Sequence, residues 1–161
     1  MAQIESRLHE LGFQLPERLK PPPGMTLPFP WVNVRGDRAF ISGHGPQNPD
    51  GSPAGPFGAV GREVSIEDGK EVARKVALSI LGSLQRELGD LDRITGWCRV
   101  FGMVNCVAGF DKPSVVINEI SEVLLAVFGP ELGRHARTAV GVAGLPRNFA
   151  VEAEAEVMIR L

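Results

Sequence analysis

The 161-residue chain contains no tyrosine, two cysteines and three histidines that lie far apart. Two cysteines cannot build a disulfide framework, and we expect Cys98 and Cys106, which share one apolar segment, to be small core residues. His9, His44 and His135 lack the short spacing that places two metal ligands on one face. Nucleotide-binding motifs are also missing, so the sequence predicts neither a metal nor an organic cofactor.

The chain has little excess charge and no long apolar run. A formal net charge of -2 gives no support for a nucleic-acid-binding surface. No segment approaches the roughly 20 apolar residues that span a bilayer, and residues 1–7 lack the layout of a signal peptide. We therefore expect a cytoplasmic protein that binds neither membrane nor nucleic acid. Its mass of 17.3 kDa is that of a single domain with a substantial hydrophobic core.

The end of the sequence alternates strictly between apolar and acidic residues, which predicts a strand with one apolar and one acidic face. The two sets are Phe149, Val151, Ala153, Ala155, Val157 and Ile159 against Glu152, Glu154 and Glu156. Thr138–Val142, just before, also has strand character. The Gly- and Pro-containing segment between the two strands favours a hairpin-like return, so Arg137 is expected on the strand next to the glutamates.

An arginine beside carboxylates has two interpretations of equal weight. A fixed guanidinium next to carboxylates can hold an anionic substrate and handle its protons. The same residues can equally form an ordinary cross-strand ion pair on a solvated sheet face. His44, at the start of a long loop that runs to Gly61, also has two interpretations. It could act as an acid or base at a site, or it could be an ordinary solvated side chain.

The spacing of apolar residues and the positions of glycine and proline predict the other helices and strands. Residues 1–30 read as a short helix that ends at Gly12, followed by a proline-rich extension, and residues 31–161 read as a single domain. A hairpin around Gly36 comes first, then a helix over Ser65–Leu88. The strand Ile94–Cys106 and a second helix from Pro113 to Phe128 follow; Gly96 and Gly102 would permit bends or bulges in that strand.

The predicted order is therefore β-β-α-β-α-β-β with a small helix in front. This order favours an α+β fold in which two helices cover one face of a mixed sheet. The other face of the sheet must be solvated or buried in an oligomer.

A set of short motifs in this order resembles the RidA/YjgF family of reactive enamine/imine deaminases over Trp31–Leu161. The motifs are Ile41-Ser42-Gly43, Gly89-Asp90-Leu91-Asp92-Arg93-Ile94, Val116-Ile117-Asn118, Ala136-Arg137-Thr138-Ala139-Val140, Leu145-Pro146 and Val151-Glu152-Ala153-Glu154. The segment from Gly133 to Arg137 is similar to one poorly characterised branch. The resemblance implies a chorismate-mutase-like fold and a homotrimer whose sheets face inward, with sites at the subunit interfaces.

The resemblance also implies roles for individual residues. Arg137 would clamp a substrate carboxylate, and Glu152 would position or activate a water. Asn118 would be a polar helix residue near the pocket, and Ser42 and Gly43 would line it.

Two positions depart from the family pattern. Trp31 stands where the family has a tyrosine before the first strand, and Ala139 replaces a familiar cysteine. Both are retained as substrate-binding residues, Ala139 through its backbone. The implied reaction is hydrolysis of a 2-iminoacid, formed from an enamine such as 2-aminoacrylate, to a 2-ketoacid and ammonia.

Three other functions compete with this one. A trimer could bind 2-ketoacids without turnover. An endoribonuclease, an activity also attributed to the family, is disfavoured because the chain is net acidic and lacks a basic, aromatic-studded surface. A partner-binding protein would carry an exposed apolar patch on the loop from His44 to Gly61.

Overall fold

A computed structural model describes residues 3–161 of the chain, and its elements follow the predicted order. The helices and strands are α1 (Gln3–Glu10), β1 (Val32–Arg35), β2 (Arg38–His44), α2 (Ile66–Leu88), β3 (Ile94–Asn105), α3 (Pro113–Leu132), β4 (Ala136–Val142) and β5 (Val151–Ile159). Short 3-10 turns at Leu91–Arg93 and Pro146–Asn148 precede β3 and β5.

Both long helices begin and end where their local chemistry requires. The Ser65 hydroxyl caps α2 by accepting a hydrogen bond from the Asp68 N–H at 3.0 Å, and Gly89 ends it in a left-handed conformation (φ 78°). Pro113 occupies the first turn of α3, and Gly129 interrupts its helical backbone (φ 77°, ψ 173°). No helix within residues 3–161 is both long and apolar enough to cross a membrane.

The five strands form one sheet in the order β1-β2-β5-β3-β4. Only β3 and β4 run parallel to each other; the remaining neighbours are antiparallel. The predicted hairpin between β4 and β5 is wrong, because β3 lies between them. Val100 on β3 pairs with Arg137 on one side and with Ala155 on the other. The connection, residues 143–150, exceeds the two to five residues of a common hairpin loop and can cross β3.

The two sheet faces differ sharply. Helices α2 and α3 cover one face, where Val100, Val151 and Val157 are fully buried. No element within residues 3–161 covers the other face, which carries Phe101 and a Phe40 side chain that is 41% exposed. This arrangement confirms the predicted mixed sheet with two helices on one face. The expectation that both cysteines are core residues is met in part, since both are half-buried and Cys106 packs against the core.

Two glycines of β3 have different functions. Gly96 lies at an irregularity in the pairing of β3 with β5, as its sequence context predicts. Gly102 lies in regular register, where it pairs with Ala139 and Ala153. A Cβ atom added at Gly102 would lie 2.6 Å from Ile117 Cγ2 of α3. The missing side chain of Gly102 therefore allows α3 to approach the sheet closely.

Replacing Gly102 with alanine should destabilise the protein, because Ile117 must leave its position against β3. We expect Gly102→Ala to lower the free energy of unfolding by about 1–3 kcal/mol, measured by urea denaturation. Gly96→Ala is the matched control, since no atom lies within 4 Å of the added Cβ. Equal stability of the two variants would contradict this account of the helix–sheet contact.

Candidate functional site

A cavity of about 380 Å³ lies between the proline-rich extension, the end of β2 and the start of β5. The extension from Leu19 to Trp31 provides a mainly apolar wall. Residues 43–47 and Glu152 form the opposite side. The cavity therefore combines a long apolar surface with one acidic group.

Glu152 is the acid that reaches this cavity. Its carboxylate lies beside the backbone of β2, where a Cβ added at Gly43 would be 3.5 Å from Glu152 Oε2. Burial raises the pKa of Glu152 above its ordinary value. Glu154 is exposed, and Glu156 accepts a hydrogen bond from Arg38 at 2.7 Å. The alternating pattern places all three glutamates on one face, but only Glu152 among them lines the cavity.

His44 lines the same cavity and is buried in a hydrogen-bond network. Its Nδ1 lies 2.6 Å from the Ser42 carbonyl oxygen, which can only accept, so Nδ1 carries the proton. Nε2 then accepts from the Ser83 hydroxyl at 2.8 Å, and Arg86 Nη2 donates to Ser83 Oγ at 3.2 Å. Burial lowers the pKa of His44 from 6.5 to about 4. The imidazole is therefore neutral at pH 7, and it is not the solvated loop side chain considered from sequence.

A second polar cluster lies at the far edge of the sheet, around Arg137 on β4. Arg137 Nη1 donates to Asn118 Oδ1 at 2.7 Å and to Ser121 Oγ at 3.2 Å, both on α3. His135 Nε2 lies 2.9 Å from the same hydroxyl. Within residues 3–161 both hydrogen bonds of the guanidinium use Nη1, and neither Nε nor Nη2 donates to another described residue. Helix α3 thus holds Arg137 in one orientation.

Arg137 and Glu152 do not meet within one chain. Arg137 pairs with Val100, whereas Glu152 pairs with Met103, and β3 separates the two strands. Arg137 faces the helices, because its neighbour Val100 is buried there, while Glu152 lies on the opposite face. A strand spacing of about 4.8 Å and a rise of about 3.3 Å per residue put their Cα atoms roughly 14 Å apart. The cross-strand ion pair considered from sequence is therefore wrong.

The remaining predicted residues divide between the two clusters. Trp31 and Gly43 line the cavity with Glu152, and the Trp31 ring centroid lies 4.9 Å from that of His44. Ala139 lies half-buried on β4, two residues beyond Arg137. The Ser42 hydroxyl donates to the Pro30 carbonyl at 2.8 Å, so it fastens the extension to β2. A direct contact of Ser42 with substrate stays a prediction.

Arg147, on the turn before β5, is a cavity residue that none of the sequence motifs indicated. It lines the cavity next to Phe149, and its backbone adopts a left-handed conformation (φ 55°, ψ 19°). Asn148 follows with φ 56°. Left-handed backbone at a residue other than glycine is uncommon and costs about 1 kcal/mol or more. In the sequence, Pro146 indicates a turn just before Arg147 and Asn148. It does not indicate that this turn places the Arg147 side chain at the cavity.

Comparison with known proteins assigns the chain to a family. No family model matches it. Protein TCP17 of Trypanosoma cruzi is 37% identical over 155 residues, which are 96% of this chain and 93% of that protein. The Agrobacterium tumefaciens protein Atu1372, of unknown function, is 36% identical with a TM-score of 0.87, covering 99% of this chain and 94% of its own.

A Shewanella oneidensis protein described as a candidate endoribonuclease has a TM-score of 0.85 at 25% identity, covering 98% and 99% of the two chains. Yersinia pestis YyfA, of the Rid protein family, shares the fold at 17% identity with a TM-score of 0.59, covering 89% and 98%. The chain belongs to the Rid/YjgF family. The resemblance inferred from the motifs is thus confirmed, together with the chorismate-mutase-like α+β fold of Rid proteins.

The buried His44 should make the stability of this Rid protein depend on pH. The unfolded chain binds a proton at His44 below pH 6.5, but the folded chain does so only below about 4. Stability from this group is therefore complete above pH 6.5 and is lost as the pH falls to 4, by roughly 3 kcal/mol.

The variant His44→Gln removes this titration and is expected to be less stable at pH 7.5. The difference between the unfolding free energies of the wild type and the variant should shrink by roughly 3 kcal/mol between pH 7.5 and pH 4. Urea denaturation across this range measures it. Parallel curves for the two proteins would show that His44 does not titrate as its burial requires.

Proposed function

We propose that the protein hydrolyses reactive 2-enamine and 2-imine acids to 2-ketoacids and ammonia, at sites formed by two copies of the chain. One observation carries the proposal: Glu152, with a raised pKa, lines a cavity that the fixed Arg137 of the same chain cannot reach. Each chain thus presents two half-sites on different parts of its surface. A second copy would bring them together.

The uncovered sheet face supports this assembly. It exposes Phe40 and places Phe101 in a shallow depression with Glu154 and Glu156. A sheet face that exposes aromatic side chains beside charged groups is typical of a surface that another subunit covers. The family resemblance implies a closed ring of three subunits, in which each cavity meets the Arg137 edge of its neighbour.

The reaction begins when an enamine acid takes a proton at carbon and becomes the protonated imine. The partner subunit's Arg137 binds the substrate carboxylate through two parallel hydrogen bonds and draws electron density from the adjacent imine carbon. Asn118 and Ser121 hold that guanidinium in place. The clamp therefore fixes the reacting carbon near Glu152 without a bound metal.

Glu152 then acts as base and acid in turn. Its carboxylate takes a proton from water as the water oxygen bonds to the imine carbon, which gives a tetrahedral aminoalcohol. The protonated Glu152 returns the proton to nitrogen, and the carbon–nitrogen bond breaks. The hydroxyl group then gives its proton to the Glu152 carboxylate and becomes the carbonyl of the 2-ketoacid, and ammonia leaves. A raised pKa suits both steps, because the group must gain and lose a proton near neutral pH.

The other cavity residues position the substrate. The Gly43 backbone borders the carboxylate of Glu152, and Trp31 covers the side chain of His44. The neutral His44 uses both ring nitrogens for protein hydrogen bonds, which suits a supporting residue that fixes the end of β2. Residues 1–30 would serve as an extension of the domain at 31–161, since their proline-rich part forms one cavity wall; residues 1 and 2 lie outside the described chain.

Binding without turnover is the main alternative, because the same cavity and clamp would hold a 2-ketoacid. Cleavage of RNA is less well supported. The Shewanella protein is described as a candidate endoribonuclease, but this chain has a net charge of -2 and a mainly apolar cavity wall. RNA cleavage that disappears in Arg137→Ala would favour that function instead.

Mixed trimers test the shared site directly. Arg137→Ala and Glu152→Gln are each expected to abolish hydrolysis of 2-aminoacrylate generated in place by a serine dehydratase. Subunits of the two variants, refolded together in equal amounts, should regain about a quarter of wild-type activity. Random assembly gives that fraction of interfaces an intact Glu152 and an intact Arg137 from different chains.

The control for mixing is each variant refolded alone, with the trimer confirmed by its mass in solution. Arg147→Ala serves as the matched arginine control, because Arg147 lines the cavity in the same chain as Glu152. No recovery on mixing, together with loss of activity in Arg147→Ala, would place the carboxylate clamp within one chain. A wild type that binds 2-ketoacids without accelerating hydrolysis would support the binding alternative.

The raised pKa of Glu152 predicts the acidic limb of the pH profile. Glu152 must be ionised to accept the proton from water, so kcat, which reports the enzyme–substrate complex, should fall as the pH drops through its pKa. Because burial raises that pKa, the limb should lie above the ordinary range of a glutamate. In the variant Glu152→Asp, the remaining activity should fall at a different pH, because the new carboxyl group has a different pKa. A limb at the same pH in both proteins would assign it to another group.

A further inference from the structure

We infer that the substrate of this site carries a bulky apolar side chain, so that 2-iminoacids of aromatic or large aliphatic amino acids fit it better than the three-carbon 2-aminoacrylate. The inference rests on the proposed function and names the substrate class. Its basis is the wall that the proline-rich extension adds to the cavity.

The cavity is larger than a three-carbon acid requires. Its volume of about 380 Å³ falls within the roughly 300–1,000 Å³ of pockets that enclose drug-sized ligands. The two charged groups, Glu152 and Arg147, lie on the side formed by β2, β5 and the turn before β5. The opposite side is lined by Leu19, Pro21, Met25, Leu27, Phe29 and Trp31.

The extension is tied to the domain on both sides of this wall. Before it, Arg86 Nη1 donates to the Pro16 carbonyl at 2.8 Å, and Gln47 Nε2 donates to the Glu17 carbonyl at 3.1 Å. After it, the Ser42 hydroxyl donates to the Pro30 carbonyl at 2.8 Å, and the Ser42 N–H donates to the Trp31 carbonyl at 3.0 Å. A wall fixed at both ends is formed before a ligand arrives.

Two large apolar side chains of the wall are exposed to solvent. Met25 is 54% exposed and Phe29 is 45% exposed, although both line the cavity. The Phe29 ring stands edge-on to Trp31 with centroids 5.7 Å apart, so its position is defined. Apolar surface left open beside a concave site is stabilised when a ligand covers it.

The two sides of the cavity determine how a 2-iminoacid would lie. Its reacting carbon must be at Glu152, on the polar side next to Gly43. The side chain attached to that carbon can then extend along the wall towards Met25 and Phe29. An aromatic or branched aliphatic group would cover these residues, whereas the methylene group of 2-aminoacrylate would leave them open.

Imines of phenylalanine, leucine, alanine and glutamate, generated in place by suitable amino-acid oxidases, test this inference. We expect kcat/KM for the phenylalanine and leucine imines to exceed that for the alanine imine by about tenfold or more. Phe29→Ala and Met25→Ala should each reduce this ratio several-fold. Leu125→Ala is the matched control, because Leu125 is 42% exposed on α3 and does not line the cavity.

Equal kcat/KM for all four imines would overturn the inference, as would a preference for the glutamate imine, which would assign Arg147 to a second carboxylate. Thermal unfolding of both wall variants checks that they remain folded. Retention of the wild-type ratio in both folded variants would also overturn it.

Binding of phenylpyruvate and pyruvate, measured by calorimetry, separates this inference from the proposed function. Tighter binding of phenylpyruvate, weakened in Phe29→Ala, with no imine hydrolysed, would keep the inference and overturn the deaminase. Hydrolysis without side-chain preference, with equal binding of the two ketoacids, would keep the deaminase and overturn the inference.

Discussion

The central position of β5 determines the positions of the groups around it. The strand is hydrogen-bonded to β2 on one side and β3 on the other, and its apolar residues pack under the two helices. Burying side chains such as Val151 and Ile159 contributes about 1.5–3 kcal/mol each. A shift of one residue would turn every buried apolar side chain outward and every glutamate inward. The register that secures the core therefore also fixes Glu152 beside the end of β2.

Local patterns in the sequence predicted the elements and their exposed faces, but not which strands are neighbours. Alternation along β5 shows that one face is buried, and the cap at Ser65 and the break at Gly129 mark helix ends through local hydrogen bonding and backbone conformation. The position of β3 between β4 and β5 depends on the crossover of α3 and on pairing over long distances in the chain. Motif resemblance could name Arg137 and Glu152, but only the sheet order shows that one chain keeps them apart.

The cavity was the least predictable feature, because its residues come from segments with no periodic signal. Proline and glycine in the extension and in the loop after β2 indicate irregular backbone, but not what that backbone encloses. The environment of His44 depends on Ser83, which lies 39 residues later on α2. The single glutamate that reaches the cavity is likewise selected by its neighbours, since Arg38 engages Glu156 and Glu154 lies exposed.

Separating Arg137 from Glu152 has a chemical consequence. A guanidinium in contact with a carboxylate favours the ionised form and lowers its pKa, which would make Glu152 a weaker base. Because Arg137 is instead held by Asn118 and Ser121, burial alone sets the direction of the Glu152 shift, and that direction is upward. In the proposed shared site the carboxylate of the substrate lies between the two groups and neutralises the arginine. The base therefore keeps its raised pKa during the reaction, while the clamp still acts on the substrate.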